Sequence, residues 1–585
     1  MSYVFEQKVG KYTYLYECTA YRDHDGNPRN KRVIIGKIDL KTGLPVYKPE
    51  YLERMREAGT PVEIPPTEKM FSVMEIKQST VRDYGLFYLL RQLSDVIGLT
   101  ASLAVSVPRY WQEIFMLACY LIASGDPFLY CEEWVKDTEC LPVGSMSSQR
   151  ISELLRAIKP EEREGFFQSW CGYRSEQEYL ALDITSTSSY SELVDDVEWG
   201  YNRDHERLPQ INICMLMGET SRLPVYQTVY SGSLKDVSTL RTTLSKFDSI
   251  TDGRPVLAVM DKGFFSRKNV TAMLGDKKIK KFIIAIPFTS SFAKQQVAGE
   301  RKDIDSVQNT IVVNGDSMRA VTKVRAWNKE HNVFTHIYYS AKKAFYRREE
   351  LYAHVAILRE KAEKFSAQYA NDSEYTKYLT IRRSEKTESG YTVSIREDAI
   401  TSELETAGWV VIISNDIDNA KEAMRIYRGK DVVEKGFLRL KKTLDLGRLR
   451  VHSQESMQNK VFIGFIALAM LSEIHKVMSD EGMYKRITLK QLLHTLSRHR
   501  IQQINGTRII YPATKVFIGF IALAMLSEIH KVMSDEGMYK RITLKQLLHT
   551  LSRHRIQQIN GTRIIYPATK EQRNIYKAFD VEEPV

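Results

Sequence analysis

Apolar residues recur at helical spacing between residues 78 and 160, whereas the segment before them alternates at strand spacing. Three stretches in the helical part place apolar side chains at i, i+3 and i+4: "YGLFYLLRQLSDVIG", "YWQEIFMLACYLIAS" and "SQRISELLRAI". Residues 1–60 instead take short apolar and polar steps around the turn sequences "DHDGNP" and "LKTGLP". The pattern predicts a small β-rich N-terminal module over residues 1–65 and a helical domain over 70–165.

Strands and helices alternate in the next part of the chain. The strand-like stretches "EYLALDITSTS", "INICMLMG" and "LPVYQTVYSG" come first. A helix "LKDVSTLRTTLSKF", a strand "PVLAVMD", a helix "SRKNVTAMLG" and a strand "KFIIAIPF" follow. Three strands followed by alternating helix and strand are typical of an α/β domain with a mixed sheet. We assign residues 175–290 to the first half of this domain.

The alternation stops at residue 291 and resumes near residue 406. The intervening stretch mixes a charged helix, "FYRREELYAHVAILREKAEKF", with the hairpin-like "YLTIRRSEKTESGYTVSIRE". We therefore interpret residues 291–405 as a β-rich insertion. The strand "GWVVIISN" and the helix around "YRGKDVVEKGFLRLKK" then resume the α/β pattern, and residues 406–475 are predicted to complete the domain.

The C-terminal part of the chain contains a perfect tandem copy. After a tail over residues 476–515, the sequence Val461–Lys515 recurs without change as Val516–Lys570, followed by residues 571–585. Repeats in solenoid proteins share a pattern but diverge in detail, and at least three are usually needed to bury a core. Two identical copies of residues 461–515 and 516–570 instead indicate a recent in-frame duplication or an error in assembling the sequence.

Charge favours an anionic partner such as nucleic acid. The chain of 585 residues has a formal net charge of +12, which favours nucleic acid and leaves anionic lipid as an alternative. The helical domain over 70–165 is a possible DNA-binding domain. Each tandem copy holds eight Lys/Arg and three Asp/Glu, so the second copy supplies five of the twelve net charges (8 − 3 = 5). The basic signal of the remaining chain is correspondingly weaker.

The spacing of the cysteines and the length of the apolar runs indicate the cellular compartment of the protein. The six cysteines show no CxxC pair and no histidines at zinc-finger spacing, which is typical of free thiols in a reducing compartment. The longest apolar runs, such as Val461–Leu471, have about half the ~20 residues needed to span a bilayer. We predict a cytoplasmic protein without membrane association.

Two aspartates occupy positions where an α/β sheet usually gathers ligands. Asp183 lies within "LALDITS", directly after an apolar strand start, and Asp261 ends the apolar strand "VLAVMD". A lone aspartate at such a position is often only a capping or turn residue. The carboxyl end of strands in an open α/β sheet is nonetheless the usual site of ligand binding.

A third carboxylate, Glu434, lies in a helix rich in lysine and arginine. At about 100° per residue, Tyr427, Lys430 and Lys441 fall within about 40° of Glu434, as does Leu438. An apolar stripe roughly 80° away is expected to dock on the core, and it contains Ile426, Val433, Phe437, Leu440 and Leu444. Simple Glu–Lys pairing on a solvated face is the alternative interpretation.

We expect Asp183 and Asp261 on neighbouring strands, with Glu434 on a helix packed against the sheet, to form a cluster of three carboxylates. Three hard oxygen donors without His or Cys suit Mg²⁺ or Mn²⁺ rather than zinc. Two such ions can activate a water or a 3′-hydroxyl and stabilise the leaving oxygen of a phosphodiester. The lysines beside Glu434 would then contact DNA phosphates.

The chain resembles insertion-sequence transposases of the DDE class, in the group marked by a Tyr–Arg–Glu–Lys signature. The signature spacing is met by Tyr427, Lys430, Glu434 and Lys441, with lysine at position 430 where the family usually has arginine. Arg428 is close by, but a lysine cannot make the bidentate phosphate contact of an arginine. The blocks "ALDITSTSSY", "WGYNRDHERLPQINI", "VMDKGFFS" and "VHSQESMQNKVFIGFIALAML" also resemble this family. Its usual asparagine in the step before an aspartate is here replaced by Ser233 in "SGSLKD".

The resemblance implies an α/β fold with an RNase H-like mixed-sheet catalytic core and a β-rich insertion between the second aspartate and the glutamate. It implies that Asp183, Asp261 and Glu434 are catalytic and metal-binding, and that Tyr427, Arg428, Lys430 and Lys441 contact DNA. It also implies Mg²⁺-dependent cleavage, with Mn²⁺ a possible substitute, at terminal inverted repeats and strand transfer into target DNA. The partner is then double-stranded DNA in a bacterial, nucleoid-associated setting, with a homodimer on paired ends as one possible assembly.

Two other functions are compatible with the same residues. A relic that binds transposon ends without cutting them would retain all three acids, and a structure-selective nuclease would use the same metals. Trp199, within the second family-like block, is compatible both with stacking on a DNA base and with anchoring a loop or core.

Overall fold

The computed structural model describes most of the chain, which divides into two compact units. The described residues are 2–10, 12–22, 27–38, 45–57, 79–172, 178–251, 256–275, 279–385, 387, 390–504 and 507–511, with 533, 538, 547, 556–559, 562–565, 570 and 573. One unit comprises Met1–Val81 with Gln502–Val585, and the other comprises Arg82–Ile501. The predictions for residues 512–555 fall almost entirely outside the described residues.

The first unit contains a four-stranded antiparallel sheet. Its strands pair in the order β1-β2-β3-β4, and they are β1 Ser2–Val9, β2 Tyr12–Arg22, β3 Pro28–Ile38 and β4 Pro45–Tyr47. Helix α1, Pro49–Glu57, covers one face, where Tyr51 packs with Leu15 and Ile35 in a small core. The tandem copy contributes one described hairpin, β19 Ile556–Ile559 with β20 Thr562–Ile565, whose sequence recurs in β17 Arg500–Ile504 and β18 Thr507–Tyr511.

The second unit begins, after β5 (Val81–Asp83), with six helices. They are α2 Gly85–Val96, α3 Leu99–Ser106, α4 Trp111–Ala123, α5 Cys131–Asp137, α6 Ser148–Ala157 and α7 Pro160–Gly172. Helix α4 is buried along nearly its whole length because its sequence is apolar on all sides, from Ile114 to Ile122. The aromatic residues of α7, Phe166, Phe167 and Trp170, are likewise buried.

A nine-stranded mixed sheet forms the centre of this unit, which confirms the prediction of a mixed α/β fold. The strand order is β11-β12-β13-β16-β10-β9-β6-β7-β8. Parallel pairing is confined to β6–β9 and β9–β10, and the other pairs are antiparallel. The strands and helices of the first half are β6 Leu180–Ser188, β7 Gln210–Gly218, β8 Pro224–Ser231, α8 Asp236–Ile250, β9 Val256–Met260, α9 Arg267–Gly275 and β10 Ile279–Ile286.

The segment interpreted as an insertion is partly built into this sheet. After α10, Ser291–Glu300, strands β11 Thr310–Val313, β12 Asp316–Ala326 and β13 Asn332–Tyr339 extend the sheet edge. The residues that follow are mostly helical, with one hairpin: α11 Ala341–Lys364, α12 Ser366–Tyr369, α13 Ser373–Tyr378, β14 Leu379–Arg383, β15 Tyr391–Ile395 and α14 Glu397–Leu404. These last elements have their own apolar core, which includes Leu351, Val355 and Tyr378.

The chain then returns to the sheet through β16, Trp409–Ser414, and continues as helices. They are α15 Ala420–Gly429, α16 Asp431–Leu438, a π-helical turn over Arg439–Thr443, α17 Gln454–Asp480 and α18 Leu489–Ser497. Among the described residues, α17 is long and apolar enough to cross a membrane, as is the bent pair Trp111–Ala123 with Phe128–Asp137 taken together. In α17, 78% of the apolar window is buried inside the protein, where the helix packs on α4, α6 and β8.

Candidate active site

The pairing of β6 with β9 places Asp183 and Asp261 side by side. The two strands run parallel, with Leu180 opposite Ala258 and Leu182 opposite Met260. Asp183 is the next residue after Leu182 on β6, and Asp261 is the next residue after Met260, directly beyond the end of β9. Their backbones are thus in register on adjacent strands, with Asp183 partly buried within β6 and Asp261 directly after the last residue of β9.

The helices α15 and α16 bring three further side chains to this pair. The Tyr427 hydroxyl donates a hydrogen bond to Asp261 Oδ1 at 2.8 Å. The Lys430 ammonium lies 2.5 Å from Glu434 Oε1 and 4.0 Å from Asp261 Oδ1. Lys430 thus bridges the glutamate of the helix and the aspartate of the sheet, and the spacing between Tyr427 and Glu434 gathers all three residues at one site.

The surroundings of Asp183 disfavour the charged form of its carboxyl group. Its pKa is raised to about 6, chiefly by burial, because a charged carboxylate is poorly solvated there, and to a smaller extent by the Asp261 charge. The Ile184 backbone N–H, which donates to Asp183 Oδ1 at 2.8 Å, and the charges of Lys430 and Arg203 oppose this shift only in part. A carboxylate in this state is stabilised by any cation that approaches it.

The pKa values of Tyr427 and Lys430 report the same accumulation of negative charge. Burial and then the Asp261 carboxylate raise the pKa of the Tyr427 hydroxyl, so it stays protonated and acts as a fixed donor. Burial lowers the pKa of the Lys430 ammonium, but the hydrogen bond to Glu434 and the charges of all three carboxylates outweigh burial and raise it. Lys430 is therefore charged and neutralises part of the cluster.

The other two predicted DNA-contacting residues have partners elsewhere in the protein. Arg428 donates to the Val313 carbonyl at 2.7 Å and lies 3.1 Å from the Asp316 carboxylate, so it ties α15 to the β11–β12 hairpin. Lys441 lies in the π-helical turn and pairs with Asp204 at 2.6 Å. A contact from either side chain to DNA would require it to exchange a protein partner for a phosphate.

Arg203, in the connection between β6 and β7, stabilises the site and was not among the residues predicted from the sequence. Its guanidinium contacts both oxygens of Asp236, at 2.5 and 2.7 Å, and its backbone N–H donates to Ser186 Oγ at 2.9 Å. Asp236 opens α8 and is the aspartate of the "SGSLKD" step. The only available signal was that Arg203 lies in a family-like block. Trp199, from the same connection, is 68% exposed, which excludes a core position.

A basic cavity of about 1320 Å³ adjoins α15 and α16 without including any of the three carboxylates. Its basic lining residues outnumber its acidic ones, Glu219 and Asp431, and they are Arg222, Arg428, Lys435, Arg439, Lys442, Lys476 and Lys490. Burial lowers the pKa of the Arg439 guanidinium, because a desolvated cation is destabilised. Such a cavity attracts anions close to the carboxylate cluster.

A model of the transposase DDE domain family matches residues 174–470, a little over half of the chain, and this range includes all three carboxylates. The chain belongs to the DDE transposase family. The prediction of a DDE-class transposase is thereby confirmed, and the family is one of DNA-cleaving enzymes that are generally dependent on divalent metals.

Other comparisons add little to the family assignment. No curated protein matches the chain. Among solved structures, the transposase is similar to a chain in a cryo-EM structure of a piggyBac transposase synaptic complex with hairpin DNA, with 10% identity. The match covers 70% of this chain and 78% of that one, with a TM-score of 0.34, which is too low to support any argument about this transposase.

The donor chemistry of the transposase site fits a hard divalent cation. Asp183 and Asp261 present carboxylate oxygens, the ligands that Mg²⁺ and Mn²⁺ prefer, and Asp183 is desolvated and short of positive charge. In the part of the chain that the structure describes, no three His, Cys, Asp or Glu side chains are arranged to hold one metal ion. The Glu434 carboxylate instead pairs with Lys430.

Replacing Asp183 with asparagine should change the pH dependence of transposase stability. The folded-state pKa of about 6 lies above the ordinary value of 3.8, so the folded protein holds the proton more tightly and its stability falls as pH rises from about 4 to 6. Asp183→Asn removes this loss, which amounts to at most about 3 kcal/mol at pH 7. Urea unfolding in EDTA between pH 4 and 7 measures the difference, and parallel profiles for the two proteins would contradict it.

Proposed function

We propose that the chain is a transposase with an RNase H-like core that cuts DNA at the ends of a mobile element and joins the ends to target DNA. Asp183, Asp261 and Glu434 are its proposed catalytic carboxylates. The observation that carries the proposal is the network around Asp261 at the end of β9, where Tyr427 donates to Asp261 and Lys430 lies between Asp261 and Glu434. A solvated helix face with simple Glu–Lys pairs would not reach the sheet.

The strand order supports the RNase H-like assignment of the core. The strands β6, β7 and β8 form an antiparallel meander, and β9 and β10 add in parallel on the other side of β6. Asp183 therefore lies on β6, the middle one of these five strands, and Asp261 lies directly beyond the end of its parallel neighbour β9. Asp261 lies at the carboxyl end of its strand, where an α/β sheet usually binds ligands, and the register brings Asp183 beside it.

We propose that Mg²⁺, or Mn²⁺ in its place, is held by Asp183 and Asp261, with Glu434 joining when DNA is present. When bound, divalent ions at such a site supply activation of a water or 3′-hydroxyl and stabilisation of the leaving oxygen. The chain's own contribution is orientation. The Tyr427 hydroxyl fixes Asp261 Oδ1, and Arg203 anchors the β6–β7 connection beside Asp183.

Lys430 has two roles in this proposal. In the free protein its ammonium offsets the repulsion between Asp261 and Glu434, which are both within its reach. When DNA arrives, a phosphate offers the ammonium a second anionic partner and frees Glu434. A lysine does this as a point charge, whereas the arginine usual in the Tyr–Arg–Glu–Lys signature would hold the phosphate with two hydrogen bonds.

Double-stranded DNA is the proposed partner, at terminal inverted repeats and at the target. The basic cavity beside α15 and α16, lined by Lys435, Arg439 and Lys442, is the surface proposed to hold its backbone, since phosphates bind through such cations. Tyr427, Arg428, Lys430 and Lys441 complete the proposed DNA contacts. We further propose a homodimer on paired ends, in the cytoplasm beside the bacterial nucleoid and without membrane association.

A protein that binds transposon ends without cutting them is the second candidate. The observation that favours it is the short Lys430–Glu434 pair, at 2.5 Å, which keeps the third carboxylate engaged. Both candidates predict DNA binding, and only the transposase predicts cleavage that requires a metal.

Cleavage of the element's own terminal repeat tests the proposal. A labelled duplex carrying that repeat is incubated with Mg²⁺ or EDTA and with either the 585-residue chain or a 530-residue chain that lacks one tandem copy. We expect both chains to cut at the end in Mg²⁺ and neither to cut in EDTA, because the second copy follows the whole carboxylate set in sequence.

Three other results have distinct meanings. Cutting by the short chain alone would keep the carboxylate assignment and show that the duplication impairs the enzyme. Binding without cutting by both chains would overturn the transposase proposal in favour of the end-binding protein. Metal-dependent cutting without strand transfer into a plasmid target would indicate a nuclease.

A further inference from the structure

The four-stranded sheet of the first unit has two chemically different faces. Antiparallel partners lie on the same face of a sheet, so the register assigns every strand residue to a side. Leu15, opposite Glu6, lies on the side that α1 covers. Tyr16, opposite Phe5, lies on the other side.

We call this second side the aromatic face. Its aromatic members come from β1 and β2, and they are Tyr3, Phe5, Tyr12, Tyr14 and Tyr16. The rings form two groups: Phe5 stacks on Tyr16 with centroids 5.6 Å apart and 17° between planes and lies 6.0 Å from Tyr3, while Tyr12 lies 6.4 Å from Tyr14. Tyr3 is 57% exposed and Tyr12 is 36% exposed, so the surface is open at both ends.

In the described strands, acidic residues lie on only one of the two sides of the sheet. The register places Arg22, Arg32 and Lys37 on the aromatic face, and the Arg32 guanidinium lies over the Phe5 ring at 5.5 Å from its centroid. The four described strands contain two acidic residues, Glu6 and Glu17, and both lie on the α1 side. There Glu17 pairs with Arg54 of α1. The aromatic face therefore combines exposed rings with positive charge only.

We propose that the aromatic face binds single-stranded nucleic acid. Unpaired bases stack on exposed aromatic rings, and the phosphates between them are held by nearby cations, which is the combination found here. A protein partner would more often meet a face of mixed charge, and an intact duplex cannot present its bases for stacking. This site is separate in sequence and chemistry from the carboxylate cluster.

Affinity for a labelled 20-nucleotide oligo(dT) tests the proposal in the full chain. Tyr3→Ala should weaken binding by about tenfold, because one stacked base is lost. The matched control is Tyr21→Ala, because Tyr21 lies on the α1 side of the same sheet and is 52% exposed. That variant should stay within about twofold of the unmodified chain, as should Tyr3→Phe, which keeps the ring.

Charge and strandedness give independent readouts. Replacing Arg22, Arg32 and Lys37 together with alanine should reduce the slope of log affinity against log salt by about 2, since each single-strand phosphate contact contributes about 0.7. Affinity for a blunt duplex should not change in Tyr3→Ala. Oligo(rU) in place of oligo(dT) tells whether RNA or DNA is the better ligand.

Two outcomes would overturn the proposal: equal losses in Tyr3→Ala and Tyr21→Ala, or a Tyr3→Ala effect that is the same for duplex and single strand. The Tyr3→Ala variant could instead abolish a concentration-dependent dimerisation and leave the oligo(dT) affinity unchanged. That result would assign the aromatic face to contact with a second copy of the chain. Oligo(dT) affinity is measured in EDTA, without any cleavage step, so failure of the cleavage proposal leaves this result interpretable.

Discussion

A Glu434→Gln variant is expected to cut a transposon end at least about 10³-fold more slowly than the unmodified chain while binding that end with similar affinity. The amide keeps the size of the side chain but removes the negative charge proposed to complete the metal site. Metal-ion catalysis supplies several kcal/mol of charge stabilisation, and about 4 kcal/mol corresponds to a factor of ~10³ in rate. Single-turnover cleavage of a labelled terminal repeat in Mg²⁺ measures the rate, and a gel-shift titration in EDTA measures binding.

The matched control for this variant is Asp431→Asn. Asp431 lies three residues earlier in the same helix, pairs with Lys435 and lines the basic cavity rather than the carboxylate cluster. The same loss of one negative charge there should change the rate by less than about threefold, because exposed ion pairs contribute little. Equal losses in the two variants would mean that Glu434 acts through helix stability or general charge.

The strands that carry the two aspartates could be predicted because they are buried on both faces. The run "VLAVMD" is apolar up to its last residue and "LALDITS" begins with three apolar residues; they form β9 and β6, which are buried along almost their whole length. Their register could not be predicted. Pairing Leu182 with Met260 depends on contacts between segments almost eighty residues apart, which local patterns do not record.

The helix of Glu434 shows where periodicity fails. A single regular helix would put Leu438 and Lys441 on the same side as Glu434. The structure instead ends α15 at Gly429, begins α16 at Asp431 and continues with a π-helical turn from Arg439. Each irregularity rotates the residues that follow it. Lys441, which lies within the π-helical turn, accordingly reaches Asp204.

The segment after residue 291 was harder to interpret for a topological reason. Its strands looked like an insertion because the regular alternation of helix and strand had stopped. Strand β13 in fact lies inside the sheet and pairs antiparallel with β16, with Phe334 opposite Ser414, and the helical part in between leaves the sheet and returns to it. Long-range antiparallel pairing of this kind leaves no periodic trace in the sequence.

The apolar helix α17 should be the most sensitive part of the core to substitution. Phe465 is fully buried, and its ring lies 5.1 Å from that of Phe167 and 6.2 Å from that of Phe166. Removing a buried phenylalanine side chain costs about 3–5 kcal/mol, because its transfer energy is lost and a cavity remains. Phe465→Ala should therefore lower the free energy of unfolding by about 3–5 kcal/mol, measured by urea unfolding.

The tandem copy provides a matched control within the same chain. Phe520 occupies the same place in residues 516–570 as Phe465 does in residues 461–515, with identical neighbours over the whole repeat. Phe520→Ala should change the free energy of unfolding by less than about 0.5 kcal/mol, because helix α17 of the first copy already occupies this position in the core. Similar losses in both variants would show that the second copy contributes to the same cooperative core.

The residues just before each copy explain why the first copy, rather than the second, should form the buried helix α17. Helix α17 starts seven residues before Val461 and includes Met457, which is fully buried. Asn459 then donates to the carbonyls of Leu155 and Ile158, at 2.8 and 2.9 Å. At the equivalent positions the second copy is preceded by Pro512 and Thr514.

Pro512 lacks the N–H that a helix interior needs, and the shorter Thr514 has no amide with which to donate to two carbonyls. The sequence before the second copy therefore lacks the residues that form the start of α17 in the first, although the 55 residues themselves are identical. Introducing Asn459→Thr into the 530-residue chain isolates this difference. We expect a loss of about 1–3 kcal/mol in unfolding free energy, because two buried carbonyls lose their donor; an unchanged value would mean that the repeat sequence alone determines which copy docks.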